Sequence, residues 1–172
     1  MKLLQCILLA LGFGLLAAPA IQAKEPSLYD ASQARKLTAQ EQKSFGPQSG
    51  KFRYDARMIR AAKIAAERAR PHSTSRCWRF VKTALLAAKA VATYPKSVYA
   101  KQAAVELTRD FGFKKLAVRI PGDAPVGAVL VYGGQGAGHV EIRTQTGFTS
   151  DFSSATPSLR RPFLGAFVKP EA

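Results

Sequence analysis

The hydrophobic period changes once along this chain, from a helical repeat before Gly112 to an alternating one after it, which confines the fold to helices followed by strands. Between Cys77 and Ala92 the apolar residues Phe80, Val81, Ala84, Leu85, Ala88, Val91 and Ala92 recur at helical steps, with Arg79, Lys82 and Lys89 off the stripe. That spacing predicts a helix that starts at Cys77 and is closed by Tyr94-Pro95. Upstream, Asp55 is expected to cap a helix through Arg70, in which Met58, Ile59, Ala62, Ala65, Ala66 and Ala69 form the apolar face and Pro71 the stop. A third helix is expected from a Ser97 cap to Phe111, with Val98, Ala104, Val105, Leu107 and Phe111 inward and Gly112 ending it.

Strands are expected beyond that glycine at 116–120, 128–132, 139–144, 147–152 and 162–168. In the third, His139, Glu141 and Arg143 fall on one face and Val140 and Ile142 on the other. Helices first and an antiparallel meander second make an α+β domain, and 172 residues suffice for one such core.

Before these elements, Lys2 is followed by an apolar run from Leu3 to Ala18, broken only by Gln5 and ending in small residues up to Ala23. This pattern predicts a secretory leader over residues 1–23, and the run falls short of the roughly 20 apolar residues of a spanning helix. A secreted or periplasmic protein with no transmembrane anchor after cleavage is expected. Residues 24–52 are polar and punctuated by Pro26, Gly46-Pro47 and Gly50, so they are read as a linker or arm, leaving 53–172 as the domain. Of the two cysteines, Cys6 lies within the leader, so the exported chain keeps Cys77 alone and cannot form an intramolecular disulfide. A lone thiol in an oxidising compartment is buried, paired with another chain, or reactive.

The net charge of +15 selects anionic partners. In an exported protein the expected partner is an acidic envelope polymer, with nucleic acid not expected. Gly133-Gly134-Gln135-Gly136 lacks the lysine and hydroxyl residue of a phosphate-binding loop and precedes a strand, so it reads as a connection between strands. Two histidines and one exported cysteine without close spacing give no case for a metal, and no cofactor is expected.

Thiol chemistry fits the pattern better. A thiol attacks as thiolate, and the unpaired N–H groups at a helix start favour that anion and can also hold an oxyanion. Cys77 has that position. A base and a group to orient it are then required. His139 and Asp151 fall on neighbouring strands of the expected meander and are candidate cross-strand neighbours, while Glu141, on the same strand face as His139, is the alternative orienting group.

A helix-starting cysteine, the run Pro125-Val126-Gly127-Ala128-Val129-Leu130-Val131-Tyr132, then Gly138-His139-Val140-Glu141-Ile142 and a polar residue on the next strand together resemble the NlpC-type cell-wall cysteine peptidases, with the CHAP amidases as near relatives. The resemblance spans about residues 72 to 168. It implies a papain-like core and hydrolysis of peptidoglycan amide bonds by a Cys-His-polar triad, with Cys77 as nucleophile, His139 as base and Asp151 as third member. A monomer acting on peptidoglycan is the expectation. The rival reading is a non-catalytic cationic envelope-binding protein, and a third keeps the thioester but transfers it to an amine.

Overall fold

The computed structural model describes residues 53–171, so the expected leader and arm lie outside the described residues. Within that span helices precede strands. Helices α1 (Arg57–Arg68), α2 (Cys77–Ala87) and α3 (Ala103–Phe111) are followed by strands β1 (Lys114–Lys115), β2 (Val129–Tyr132), β3 (His139–Arg143), β4 (Phe148–Thr149), β5 (Ser153–Ser154) and β6 (Phe163–Val168). The sheet order is β1-β6-β2-β3-β4-β5, antiparallel at every pairing. The α+β reading holds. No helix among the described residues is long and apolar enough to cross a membrane.

Each helix departs from its expected face or end for a local reason. In α1 the Asp55 carboxylate accepts the Arg57 N–H at 2.8 Å from one residue before the N-cap position, Ala56. The buried positions are Met58, Ile59, Ala61, Ala62 and Ala65, whereas Ala66 is exposed. The apolar face is therefore rotated toward Ala61. In α2, Trp78, Val81, Ala84 and Leu85 are buried, but the helix ends at Ala87, well before Tyr94-Pro95. Lys89 takes a left-handed φ of 60° and the Ala90 N–H returns to the Leu85 carbonyl, turning Ala90 and Val91 into the core.

Lys82 is not on a solvated face. It is buried, with Nζ donating to the Pro95 and Ser97 carbonyls at 3.0 and 2.8 Å and lying over the rings of Trp78 and Tyr94. Burial holds its pKa below the usual lysine value against the pull of Glu106. Ser97 likewise caps nothing. Its hydroxyl accepts from Trp78 Nε1 at 2.9 Å and donates to Glu106, and the chain reaches α3 through a 3-10 turn at Ala100–Gln102. The inward face of α3 is Ala103, Glu106 and Leu107, which leaves Val98 79% exposed and Val105 exposed. Gly112 ends α3 in the left-handed conformation (φ 70°).

The expected strand at 116–120 is absent. Only Lys114–Lys115 pairs with β6, and one further bond from the Leu116 N–H to the Ala166 carbonyl precedes the turn at Pro121–Asp123. The central strands lie where the alternation placed them, with Tyr132 opposite His139 and Leu130 opposite Glu141. The strand expected at 147–152 is split. After Thr149 the Ser150 N–H bonds the Phe152 carbonyl, and this tight turn ends β4 and starts β5.

Glu106 is 6% exposed and accepts the N–H groups of Lys96 and Ser97 as well as the Ser97 hydroxyl. Replacing Glu106 by alanine strands these donors, and the expected outcome in a urea titration is a loss of about 3 kcal/mol of folding stability.

Candidate active site

Two local devices bring the start of α2 to the head of β3. The first is at Gly138, whose φ of 75° suits glycine and whose added Cβ would lie 2.5 Å from the Tyr132 carbonyl oxygen and 2.7 Å from Lys101 Cβ. The Lys101 N–H also bonds the Ala137 carbonyl at 3.0 Å, so the 3-10 turn before α3 props the residue that opens β3. His139 follows as the first residue of that strand. It is partly buried, with the Tyr132 ring centroid 5.9 Å from its own.

The second device sets the helix start. Cys77 is the first residue of α2, partly buried and free. The N-cap is Arg76 and no side chain caps the helix, so its first N–H groups carry no competing side-chain acceptor. The preceding loop is held from the opposite end of the sequence. Asp151 Oδ2 accepts the Thr74 N–H, the Thr74 hydroxyl at 2.9 Å, the Arg76 N–H at 3.2 Å and the Ser73 hydroxyl at 3.4 Å. Oδ1 accepts the Ser150 hydroxyl, and the Asp151 carbonyl accepts the Arg70 N–H at 2.9 Å.

The structure brings Cys77 and His139 together and puts Asp151 elsewhere. The Cys77 side chain lies close enough to the His139 ring to raise its pKa. The carboxylate at that ring is Glu141, whose Oε2 lies 3.4 Å from Nε2. Cross-strand pairing of His139 with Asp151 does not occur, because the turn at Ser150 takes the chain out of the ladder and aims the Asp151 carboxylate at the loop before α2. Of the two acids considered as orienting group, geometry favours Glu141.

Glu141 is only 4% exposed, and its oxygens are used. Oε1 accepts the Tyr132 hydroxyl at 2.6 Å and the Ser158 N–H at 3.2 Å. Tyr132 stays protonated, its pKa raised by burial and by the adjacent carboxylate. Sequence reasoning missed both supports. The tyrosine ending an otherwise aliphatic strand, opposite the histidine, was the available signal for one. The Ser158 amide had none, since a backbone donor leaves no mark on the sequence.

Burial opposes charge on the His139 ring, but the hydrogen bonds and charges of Cys77 and Glu141 outweigh it and raise the pKa from 6.5 to about 9. For Asp151 burial also opposes charge, and the N–H bonds from Thr74 and Arg76 outweigh it, holding the carboxyl below its usual range. Among the described residues no group of three histidine, cysteine or acidic side chains is placed to hold a metal. A groove of about 220 Å³ between α1 and the β3–β4 turn, floored by Ile59, Ala62 and Val126, contains neither Cys77 nor His139.

The fold and this site define an α+β domain in which a helix-starting thiol meets an imidazole from an antiparallel strand. No protein-family model matches the chain, and no curated protein matches it significantly. Among solved structures it is similar to a chain of the type VI native effector-immunity complex Tae3-Tai3 from Ralstonia pickettii, with a TM-score of 0.52 and 22% identity over 66% of this chain and 98% of that one. The selenomethionine form of the same complex matches with a TM-score of 0.48, 20% identity and coverages of 63% and 98%. The first of these similarities establishes a shared fold.

The His139 ring is expected to titrate near 9 by NMR, and Glu141→Gln should lower that midpoint. Because the folded value exceeds the unfolded one, the stability linked to this ring is fully present below about 6.5 and lost as pH rises through about 9. The stability gap between wild type and His139→Gln should therefore shrink across that window.

Proposed function

We propose that this protein is a papain-like cysteine amidase that hydrolyses amide bonds in peptidoglycan peptides, with Cys77 as nucleophile, His139 as acid and base, and Glu141 as the group that orients the ring. The observation that carries the reading is the convergence of the Cys77 thiol, the His139 imidazole and the buried Glu141 carboxylate at the uncapped start of α2. The fold shared with a chain of a type VI effector-immunity complex supports the same class. The net charge of +15 suits an anionic polymer, and the expected leader suits an envelope target. By analogy with that complex, a protein antagonist is a second partner.

The chemistry follows from the geometry. Glu141 engages Nε2, which leaves Nδ1 as the ring atom that takes the thiol proton as the sulfur attacks. Attack forms the C–S bond and places the carbonyl electron pair on oxygen, where the free N–H groups of the first helical turn stabilise it. Collapse breaks the C–N bond as the imidazolium gives its proton to the departing amine. Water then attacks the thioester, its proton passes to His139, and the released sulfur closes the cycle.

Replacing Cys77 by alanine should abolish the turbidity loss of purified sacculi produced by wild type, while circular dichroism reports a folded protein and binding to sacculi persists. Residual lysis by the alanine variant excludes the proposal.

A further inference from the structure

The role of Asp151 goes beyond this reading while resting on it. Its Oδ2 receives the N–H groups of Thr74 and Arg76, two residues apart, and the residue between them, Ser75, has a left-handed φ of 58°. Alternate N–H groups flanking a left-handed residue form a concave anion site in the backbone. Here the anion comes from the protein itself. Ser75 is not glycine, so its conformation is strained and persists only because its surroundings hold it. Asp151 is 1% exposed and supplies the hold, fixed in turn by the Ser150 hydroxyl and by the Arg70–Phe152 bridge.

We infer that Asp151 is a positioning residue: by filling the backbone anion site at Thr74–Arg76 it holds the strained turn before α2, and so aims the Cys77 thiol and the first N–H groups of that helix. The structure separates this role from that of Glu141. Glu141 acts on the imidazole, whereas the bonds of Asp151 go to residues 70, 73, 74, 76 and 150. A helix with its own side-chain cap would have its first N–H groups partly occupied. An acceptor placed one step upstream orders the helix entrance and leaves those groups open to an oxyanion.

The test combines NMR and kinetics on Asp151→Ala and Glu141→Gln. In the alanine variant the Thr74 and Arg76 amides should exchange faster with solvent. With a soluble muropeptide as substrate, kcat should fall about a hundredfold with KM unchanged, the signature of misplaced reacting groups in a protein that still binds. Glu141→Gln should move the ring titration and leave the two amides protected. Unchanged amide exchange in Asp151→Ala, or an equal loss of Thr74 and Arg76 protection in Glu141→Gln, overturns the inference. If the alanine variant does not fold, Asp151→Asn, which keeps one acceptor oxygen, is read with the same criteria. Should wild type release nothing from sacculi, the hydrolase reading fails, and the two NMR measurements still decide the role of Asp151.

Discussion

A thiol and an imidazole share one corner of this domain, and the ring is backed there by a buried carboxylate. A partly buried imidazolium is unfavourable by itself, and the sulfur and Glu141 together offset that cost. Glu141 is itself 4% exposed, and its own burial is tolerable because Tyr132 and the Ser158 amide donate to it. The corner is therefore a small network that is stable only when complete, so loss of one member is felt by the others.

The same logic recurs around α2. In a chain carrying +15, three acids among the described residues are buried and each holds a different flank of the helix that starts with Cys77. Asp151 orders the approach through Ser73–Arg76. Glu106 gathers the Lys96–Ser97 segment, which in turn receives the Trp78 indole from the first turn of the helix. Glu141 fixes the ring that meets the thiol. Among the described residues the abundant cations remain largely at the surface, while the buried carboxylates accept N–H and O–H groups and so organise loops that cannot form ladders of their own.

What was legible in the sequence depended on whether one element carried the signal. The start of α2, the alternation of β3 and the central pairing of β2 with β3 lie in local periodicity, and Cys77 and His139 stand out because each opens such an element. Asp151 was identified as important but given the wrong neighbour. The turn at Ser150 that diverts it from the ladder is held by one backbone bond, and nothing in the run Gly147 to Phe152 announces it. Lys82 and Glu106 were illegible for a related reason, since polar residues read as surface unless the acceptors and donors that satisfy them are known. Val105 failed the other way, because α3 turns only a narrow face inward, and Val98 because it precedes the helix altogether. The cell-wall resemblance anticipated the order of elements. No family model supports NlpC membership in particular.

The central claim is that this corner cleaves an amide through sulfur. Mass spectrometry of soluble peptidoglycan fragments incubated with the wild-type protein tests it most directly, with the Cys77 side chain followed in the same samples. The account predicts products that have gained one water across a peptide bond, together with a transient acyl adduct on Cys77. Intact fragments, or cleavage with no dependence on Cys77, would contradict it.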